Sequence, residues 1–238
     1  PQALRYPSRS VHRLSDASCA TAPRLDQSVR MRFLDAMADL LIGAQCSGCG
    51  EPGWGLCTSC REALHGAPLQ RDVVEPGDQR LVVVAAGSYR PPVSGIIKGF
   101  KDHGAWHLAG DLAASLLPLL PQVWWEGVDD GCLVPVPSSA ASVRRRGFDH
   151  TLALTRRLGR HSGVPVARLL ARPLPARDQT ELDRGGRWSN QRGRFHARPG
   201  SCRVVIVDDV VTTGATLLAA SLALKAAGLD VPAILDAR

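Results

Sequence analysis

The stretch Val-Val-Ile-Val-Asp-Asp-Val-Val-Thr-Thr-Gly-Ala-Thr-Leu, residues 204–217, constrains the fold more than any other part of the sequence. Residues 204–207 are β-branched and apolar, which predicts a fully buried parallel strand. Residues 217–226 are strong helix formers, and Gly228 is a natural stop for that helix. A buried strand followed at once by a helix is the repeating unit of α/β proteins, so we expect a parallel sheet flanked by helices.

The loop between this strand and helix is suited to a phosphate monoester. Its residues are Thr212, Thr213, Gly214, Ala215 and Thr216. They would present backbone N–H groups and hydroxyls at a helix N-terminus, where unpaired donors and the helix dipole attract an anion. The preceding carboxylates, Asp208 and Asp209, would repel a phosphate and must therefore face hydrogen-bond donors or a cation. Vicinal sugar hydroxyls and a magnesium ion both qualify.

Two other interpretations fit parts of this pattern. The acidic pair at an ordinary strand end can simply cap the following helix. A Walker B strand of a nucleotide-binding protein also ends in acid, but it needs a companion Gly-x-x-x-x-Gly-Lys-Ser/Thr loop, which this sequence does not contain. The sequence therefore argues against an ATPase.

Four cysteines form the pattern C-x2-C-x7-C-x2-C: Cys46, Cys49, Cys57 and Cys60. Two such knuckles can each give two thiolates to one tetrahedral zinc ion, and the glycines between them permit tight turns. In a cytoplasmic protein this spacing favours a metal over disulfides, with a redox pair or an iron–sulfur cluster as the alternatives. Because four thiolates leave no open coordination position, the predicted zinc site is structural.

The length of 238 residues permits one large core and a small additional module. Residues 1–30 lack periodicity, which predicts a disordered extension, and an amphipathic segment begins at Met31. We therefore predict a helix plus zinc-knuckle module over 31–65 and the main domain over 80–238. Apolar stretches are too short to cross a bilayer, and the N-terminal residues lack the apolar centre of a secretory signal. We expect a cytoplasmic protein without membrane insertion.

Two further short strands are predicted at 81–86 and 133–136, each followed by a helical segment. Ligands gather at the carboxyl ends of parallel strands, so the loops after Val136 and Val207 should lie on one edge of the sheet. The first loop leads to three consecutive arginines. If Arg146 lies in a turn, its guanidinium can reach inward to a pyrophosphate, while an exposed basic run is the alternative.

The net charge of +7 is carried almost wholly by arginine, because Lys98, Lys101 and Lys225 are the only lysines. This balance suits a phosphorylated small molecule and nucleic acid alike. Lys98 and Lys101 are candidates for phosphate contacts, with a simple exposed pair on a helix as the alternative. The long polar segment 172–195 is typical of a lid over a binding site or of a mobile linker.

The stretch from residue 204 to 216 resembles the 5-phosphoribosyl-1-pyrophosphate (PRPP) loop of type I phosphoribosyltransferases, a hydrophobic run followed by Asp-Asp-x-x-Thr-Thr-Gly-x-Thr. This resemblance implies that Asp208 and Asp209 contact the ribose hydroxyls, directly or around magnesium, and that residues 212–216 hold the 5-phosphate. It also implies the type I phosphoribosyltransferase-like sheet for the main domain.

Nearly the whole chain from Met31 resembles the ComF family of phosphoribosyltransferase-like proteins, which is associated with natural competence. The segments that carry this resemblance are the cysteine knuckles; Tyr89 to Lys101; Val134-Pro-Val-Pro with Arg146-Gly-Phe; Gln179, Leu182, Arg184 and Asn190 to Phe195; and the PRPP loop. The family usually has Arg-Gly-Phe-Asn-Gln where this chain has Arg146-Gly-Phe-Asp149-His150. Because Asp149 would reverse the local charge, we assign no substrate contact at that position.

The resemblance implies a phosphoribosyltransferase that moves the phosphoribosyl group of PRPP to a nitrogen acceptor, with magnesium as cofactor and pyrophosphate as product. Arg146, Lys98 and Lys101 are then the candidate catalytic residues, acting through positioning and charge stabilisation. The alternative is a non-catalytic protein of DNA uptake that binds single-stranded DNA through the same basic rim. The acidic pair opposes a polyanion unless magnesium intervenes. The sequence does not identify the acceptor.

Overall fold

In this computed structural model the described residues are 44–74, 80–123, 131–173, 194–211 and 214–237. The helices are α1 (Thr58–Leu64), α2 (Val93–Asp102), α3 (Ala109–Leu116), α4 (Leu120–Val123), α5 (Ala140–Arg146), α6 (His150–Ser162) and α7 (Ala215–Ala226). The strands are β1 (Leu69–Val74), β2 (Arg80–Ala85), β3 (Cys132–Pro135), β4 (Leu170–Ala171), β5 (His196–Ala197), β6 (Arg203–Asp208) and β7 (Asp230–Asp236). The predicted extension at 1–30, the amphipathic segment from Met31, most of the predicted lid, Thr212 and Thr213 lie outside these ranges.

The main sheet has the strand order β1-β2-β7-β6-β3. Strands β2, β7, β6 and β3 run parallel, and β1 pairs with β2 in the antiparallel direction. Helices cover the sheet, so the predicted α/β class with a parallel sheet flanked by helices is confirmed. None of the helices in the described ranges is long and apolar enough to span a bilayer.

The apolar run of β6 is continuous because both faces of the strand are covered. Val205 and Val207 pack into the core formed with α2, α3 and α6, whereas Val204 and Ile206 pack into the core formed with α7. All four side chains are fully buried. Burial of one such side chain stabilises the fold by roughly 1.5–3 kcal/mol, so β6 is held firmly at the centre of the sheet.

The strand register brings the predicted loops to one edge. Residues 132–135 of β3 pair with residues 204–207 of β6, and the N–H of Val136 donates to the carbonyl of Val207 at 3.0 Å. Because the two strands are parallel neighbours, the segment after Val136 and the segment after Val207 begin side by side. This edge, the carboxyl edge of the sheet, holds the candidate site.

The cysteine knuckles pack directly on α2. A Cβ atom at Gly95 would lie 2.8 Å from the carbonyl oxygen of Ser47 and 2.9 Å from that of Gly48, and one at Gly99 would lie 2.9 Å from the Ser47 Cβ. The first knuckle therefore contacts a glycine face of this helix. Cys46 and Cys60 are buried in the same core as α2, and the predicted boundaries of the two units stay predictions.

Candidate functional site

Buried carboxylates gather where β6 and β7 end. Asp208 is 8% exposed and Asp209 2% exposed, and the N–H of Asp209 donates to Asp208 Oδ1 at 2.9 Å. Asp236, paired with Asp208 in the strand register, is fully buried and accepts from the N–H of Val211 at 2.9 Å. Sequence reasoning missed Asp236, although an aspartate closing an apolar strand was a usable signal.

The two neighbouring aspartates differ in their electrostatic surroundings. Burial, and then the negative charges of Asp209 and Asp236, raise the pKa of Asp208 well above its usual value. Burial alone would also raise the pKa of Asp209, but the close approach of His150 and the positive charge of Lys101 lower it instead. Asp209 is thus the carboxylate that stays ionised.

Basic side chains from two helices face Asp209. The Lys101 ammonium, in the last turn of α2, lies 3.3 Å from Asp209 Oδ1 and 3.2 Å from Oδ2. His150, the first residue of α6, places Nε2 3.0 Å from Asp209 Oδ2. His150 Nδ1 in turn lies 2.6 Å from Nη1 of Arg146. Lys101, His150 and Arg146 therefore form one polar network with Asp209.

A left-handed glycine explains how α5 and α6 deliver Arg146 and His150 to the same place. Gly147 has φ 80°, which ends α5 directly after Arg146. Asp149 then caps α6 by accepting from the N–H of Leu152 at 3.3 Å, and it accepts a second hydrogen bond from Ser138 Oγ at 3.1 Å. The Asp149 carboxylate thus accepts hydrogen bonds at the start of α6. His150, the next residue, faces Asp209.

These side chains surround a cavity of about 310 Å³. Of the predicted site residues, those that line it are Lys101, Arg146, Asp208, Asp209 and Thr216. Gly214 has φ 77° and stands just before α7, and Ala215 opens that helix. Lys98 is exposed and is not among the lining residues, so its catalytic assignment stays a prediction without support from position.

Several lining residues were not predicted from the sequence: Ser138, Ser139, Ser142, His150 and Arg172. The serines follow β3 and include Ser139, which caps α5 by accepting from the N–H of Ser142 at 3.1 Å. The Arg172 Nε donates to the carbonyl of Pro137 at 2.6 Å, and its guanidinium lies 5.0 Å from the centre of the Phe195 ring. The two ends of the predicted lid segment are therefore joined beside the cavity.

Two buried polar atoms in this cavity have no aligned hydrogen bond within the described part of the chain: Arg146 Nε and Asp209 Oδ2. Lys101 Nζ and His150 Nε2 are at ion-pair distance from Asp209 Oδ2, at 3.2 and 3.0 Å. Both atoms belong to residues that line the cavity, one a cation and the other an anion. A carboxylate oxygen is also a ligand that magnesium prefers, so the acidic pair fits a magnesium ion as well as sugar hydroxyls.

The four predicted metal ligands lie together at the knuckles. The Sγ atoms of Cys46, Cys49, Cys57 and Cys60 all lie within 4.8 Å of one another, and those of Cys49 and Cys57 are 3.6 Å apart. Tetrahedral zinc with bonds of about 2.3 Å requires sulfur atoms separated by about 3.8 Å. The cysteines are therefore positioned to bind a metal ion, in agreement with the predicted structural zinc site.

The ionisation of these thiols also fits a cation. Burial raises the pKa of Cys46, but backbone N–H groups of Cys57, Cys49 and Gly48 outweigh this and lower it to about 6. Burial, and then the neighbouring thiols, raise the pKa of Cys60. A divalent ion among the four sulfur atoms would favour the thiolate form of Cys60, which burial and the neighbouring thiols oppose.

No protein-family model matches the sequence, and the search of curated proteins found no match. The solved structures that show similarity include three phosphoribosyltransferases. Adenine phosphoribosyltransferase from Thermoanaerobacter pseudethanolicus is 18% identical over 70% of this chain and 81% of that chain, with a TM-score of 0.34. Orotate phosphoribosyltransferase from Aeropyrum pernix is 20% identical over 74% and 79%, with a TM-score of 0.34. Adenine phosphoribosyltransferase from Saccharomyces cerevisiae is 14% identical over 76% and 89%, with a TM-score of 0.36.

Proposed function

We propose that this chain binds PRPP together with magnesium and transfers its phosphoribosyl group to a nitrogen acceptor, as a phosphoribosyltransferase-like protein of the ComF family. One observation carries the proposal: the buried pair Asp208 and Asp209 ends the central strand directly before α7 and lines one cavity together with Arg146 and Lys101. A ligand with a diol, a phosphate monoester and a diphosphate matches that distribution of charge. Membership of the ComF family rests on the sequence segments named above, and with it the link to natural competence.

Each part of PRPP has a partner in this proposal. The ribose hydroxyls donate to Asp208 and Asp209, directly or around a magnesium ion held by the same carboxylates. The 5-phosphate binds at the N-terminus of α7, where residues 212–216 supply N–H and hydroxyl donors. The pyrophosphate lies toward Arg146 and Lys101, because a guanidinium and an ammonium suit phosphate oxygens.

Transfer requires positioning and charge stabilisation but no protein nucleophile. When the bond from the anomeric carbon to pyrophosphate breaks, its electron pair leaves with the pyrophosphate, and the acceptor nitrogen forms the new bond to that carbon. Positive charge that develops on the sugar is close to the ionised Asp209, and Arg146 stabilises the negative charge of the leaving group. Magnesium, when bound, would further neutralise the diphosphate.

Calorimetric titration of magnesium and PRPP into the zinc-loaded protein tests this proposal. The wild type should bind saturably, and the Asp209→Asn variant should lose roughly tenfold or more in affinity, because a charged hydrogen-bond acceptor is removed. Asp230→Asn is the matched control, since Asp230 pairs with Arg203 at the opposite end of the strands. If the folded wild type does not bind magnesium and PRPP, the proposal is wrong. If it binds them, a screen of base acceptors for pyrophosphate release is the next step.

Single-stranded DNA binding is the second candidate function. Trp54 and Trp106 are each 65% exposed, and both rings lie against His107, with centroid distances of 6.4 and 6.5 Å. Exposed aromatic rings on a chain of net charge +7 suit stacked bases. A fluorescence titration with oligo-dT should then show affinity that falls steeply with salt and is lost in Trp54→Ala/Trp106→Ala. Affinity that does not change with salt, or that is unchanged in the double tryptophan variant, would exclude DNA binding by this surface.

A further inference from the structure

His150 is the buried polar residue beside the acidic pair whose role the proposed function leaves open. It is 5% exposed, and its ring packs edge-on against Phe100 at 6.0 Å between centroids. Its two nitrogens face different partners. Nδ1 lies 2.6 Å from Arg146 Nη1 and 3.0 Å from Ser138 Oγ, and Nε2 lies 3.0 Å from Asp209 Oδ2.

The partners of Nδ1 determine where the ring carries its proton. A guanidinium can only donate hydrogen bonds, so Nδ1 must offer Arg146 a lone pair. Ser138 Oγ donates to Asp149 Oδ1 at 3.1 Å, which leaves that lone pair to the guanidinium. A neutral imidazole with an unprotonated Nδ1 carries its hydrogen on Nε2. The N–H of the ring then faces Asp209.

Arg146 keeps other donors while it is held in this way. Its Nε is buried and lacks an aligned partner among the described residues, and Arg146 lines the cavity. A guanidinium has five N–H donors in a fixed plane, so fixing Nη1 on the imidazole also fixes the direction of the remaining ones. The contact with His150 therefore orients Arg146 and leaves its other N–H groups for a ligand in the cavity that Arg146 lines.

We infer that His150 is a positioning residue that joins the diphosphate side of the site to the ribose side, with Nδ1 orienting Arg146 and Nε2–H facing Asp209. This inference rests on the proposed function for the identity of the ligand. The inference goes beyond the proposed function because it makes the diphosphate side of the site, at Arg146, and the ribose side, at Asp209, dependent on each other. Ribose 5-phosphate and magnesium pyrophosphate should therefore each strengthen the binding of the other.

Two variants separate hydrogen bonding from packing at this position. His150→Gln keeps one acceptor and one donor, whereas His150→Leu fills similar space with neither. We expect His150→Leu to weaken magnesium–PRPP binding roughly ten- to hundredfold and to abolish the mutual strengthening of the two half-ligands. His150→Gln should restore affinity to within about threefold of the wild type. Zinc content and the melting temperature of each variant are measured alongside.

A ligand-free measurement tests the same inference independently. The ¹⁵N spectrum of the imidazole, assigned by the loss of signals in His150→Gln, should show a neutral ring protonated at Nε2. In Arg146→Met, where the donor to Nδ1 is absent, the two neutral tautomers should become more equally populated. A wild-type ring protonated at Nδ1 would overturn the inference, even if a His150 variant does not fold.

The outcomes distinguish this inference from the proposed function. If the wild type has the Nε2–H tautomer but does not bind PRPP, the proposed function fails and the arrangement around Arg146 stands. If the wild type binds PRPP and a folded His150→Leu binds it equally well, the positioning role fails and the proposed function stands. Affinity lost in both His150→Leu and His150→Gln, with unchanged melting temperatures, contradicts the claim that donor and acceptor are what matters.

Discussion

The cysteine knuckles and the carboxyl edge of the sheet bring their functional groups together in different ways. The four thiols come from residues 46–60, and two turns suffice to place them within 4.8 Å of one another. The carboxyl edge draws on α2, β3, α5, α6 and β6, and Lys101 and Asp209 are 108 residues apart in sequence. The first site thus depends on local geometry and its ion, whereas the second depends on the register of the whole sheet.

The two regions nevertheless share one helix. One face of α2 carries Gly95 and Gly99, against which the first knuckle packs, and its last turn carries Lys101. Phe100 of the same helix is fully buried and contacts the ring of His150. We therefore expect a displacement of the knuckles to shift α2 and, with it, the Lys101 side of the cavity. The following predictions test how strongly the local site supports the distributed one.

Loss of the metal should have the largest effect. Cys60→Ser removes a buried ligand, and structural zinc contributes about 10–16 kcal/mol of apparent binding free energy in small zinc-dependent domains. We expect metal content to fall to near zero and the free energy of unfolding in urea to fall by several kcal/mol. Cys202→Ser, which lies outside the cluster, should retain the metal and most of the stability. Equal metal content in both variants would contradict the assigned ligands.

How much of each region the sequence could predict depends on whether its geometry is local or set by the register of the sheet. The cysteine spacing and the run Val204–Asp209 each encode their geometry within one or two turns of chain, so sequence alone identified both. The part played by His150 was missed because its partner Asp209 is brought to it only by the pairing of β3 with β6. The serines after β3 carried no periodic signal at all.

Charge patterns were the least reliable guide to the site. The consecutive arginines left open whether Arg146 turns inward or belongs to an exposed basic run, and in the structure Gly147 ends α5 directly after Arg146, which lines the cavity. From the sequence, Asp149 looked unfavourable beside a phosphate. Its role as the N-cap of α6 could not be foreseen, because that role depends on where α6 begins. Local sequence spacing therefore predicted the fold class and the acidic loop. Which basic side chains lie beside the acidic pair is determined by long-range packing.

Filling the contact between the knuckles and α2 should have the next largest effect. Gly95→Ala places a methyl group against two backbone carbonyls, and overpacking of this kind costs about 1–3 kcal/mol. We expect lower thermal stability, retained zinc and weaker magnesium–PRPP binding, because α2 shifts and moves Lys101. Gly110→Ala is the matched control, since its added methyl group meets no atom within 4 Å. If Gly95→Ala leaves PRPP affinity unchanged, the knuckles do not support the cavity through α2.

Removing one charge from the acidic pair should have a smaller effect, with opposite signs at the two positions. In magnesium-free buffer at neutral pH, Asp208→Asn should stabilise the fold by about 1 kcal/mol, because it removes a carboxyl group whose ionisation is opposed in the folded state by burial and by the charges of Asp209 and Asp236. Asp209→Asn should destabilise it by a similar amount, because the favourable interactions with Lys101 and His150 weaken. Both variants should bind magnesium and PRPP more weakly.

The pH dependence of this pair follows from the directions of the pKa values. The pKa of Asp208 is raised on folding from the usual 3.8, so the wild type loses stability as pH rises above that value toward the folded pKa. Asp208→Asn removes this loss, and its advantage over the wild type in urea unfolding should be greater at pH 8 than at pH 4.5. The pKa of Asp209 is lowered, so its contribution is lost only as pH falls below 3.8. An advantage that shrinks with rising pH would show that Asp208 is not the raised carboxyl.

The smallest expected effect concerns Lys98, which the sequence could not distinguish from Lys101. The two ammonium groups lie on one helix, yet Lys101 pairs with a buried carboxylate and Lys98 is exposed outside the cavity. Lys101→Gln should weaken PRPP binding roughly tenfold, since a charge-assisted contact is removed. Lys98→Gln should change affinity by less than about twofold and stability by less than about 0.5 kcal/mol.

Because both substitutions remove one positive charge from α2, any general electrostatic attraction of the ligand falls equally, and calorimetry at two salt concentrations isolates the direct contact. Equal losses in the two variants would mean that α2 acts through its net charge, and that the position of Lys101 beside Asp209 is unimportant for binding.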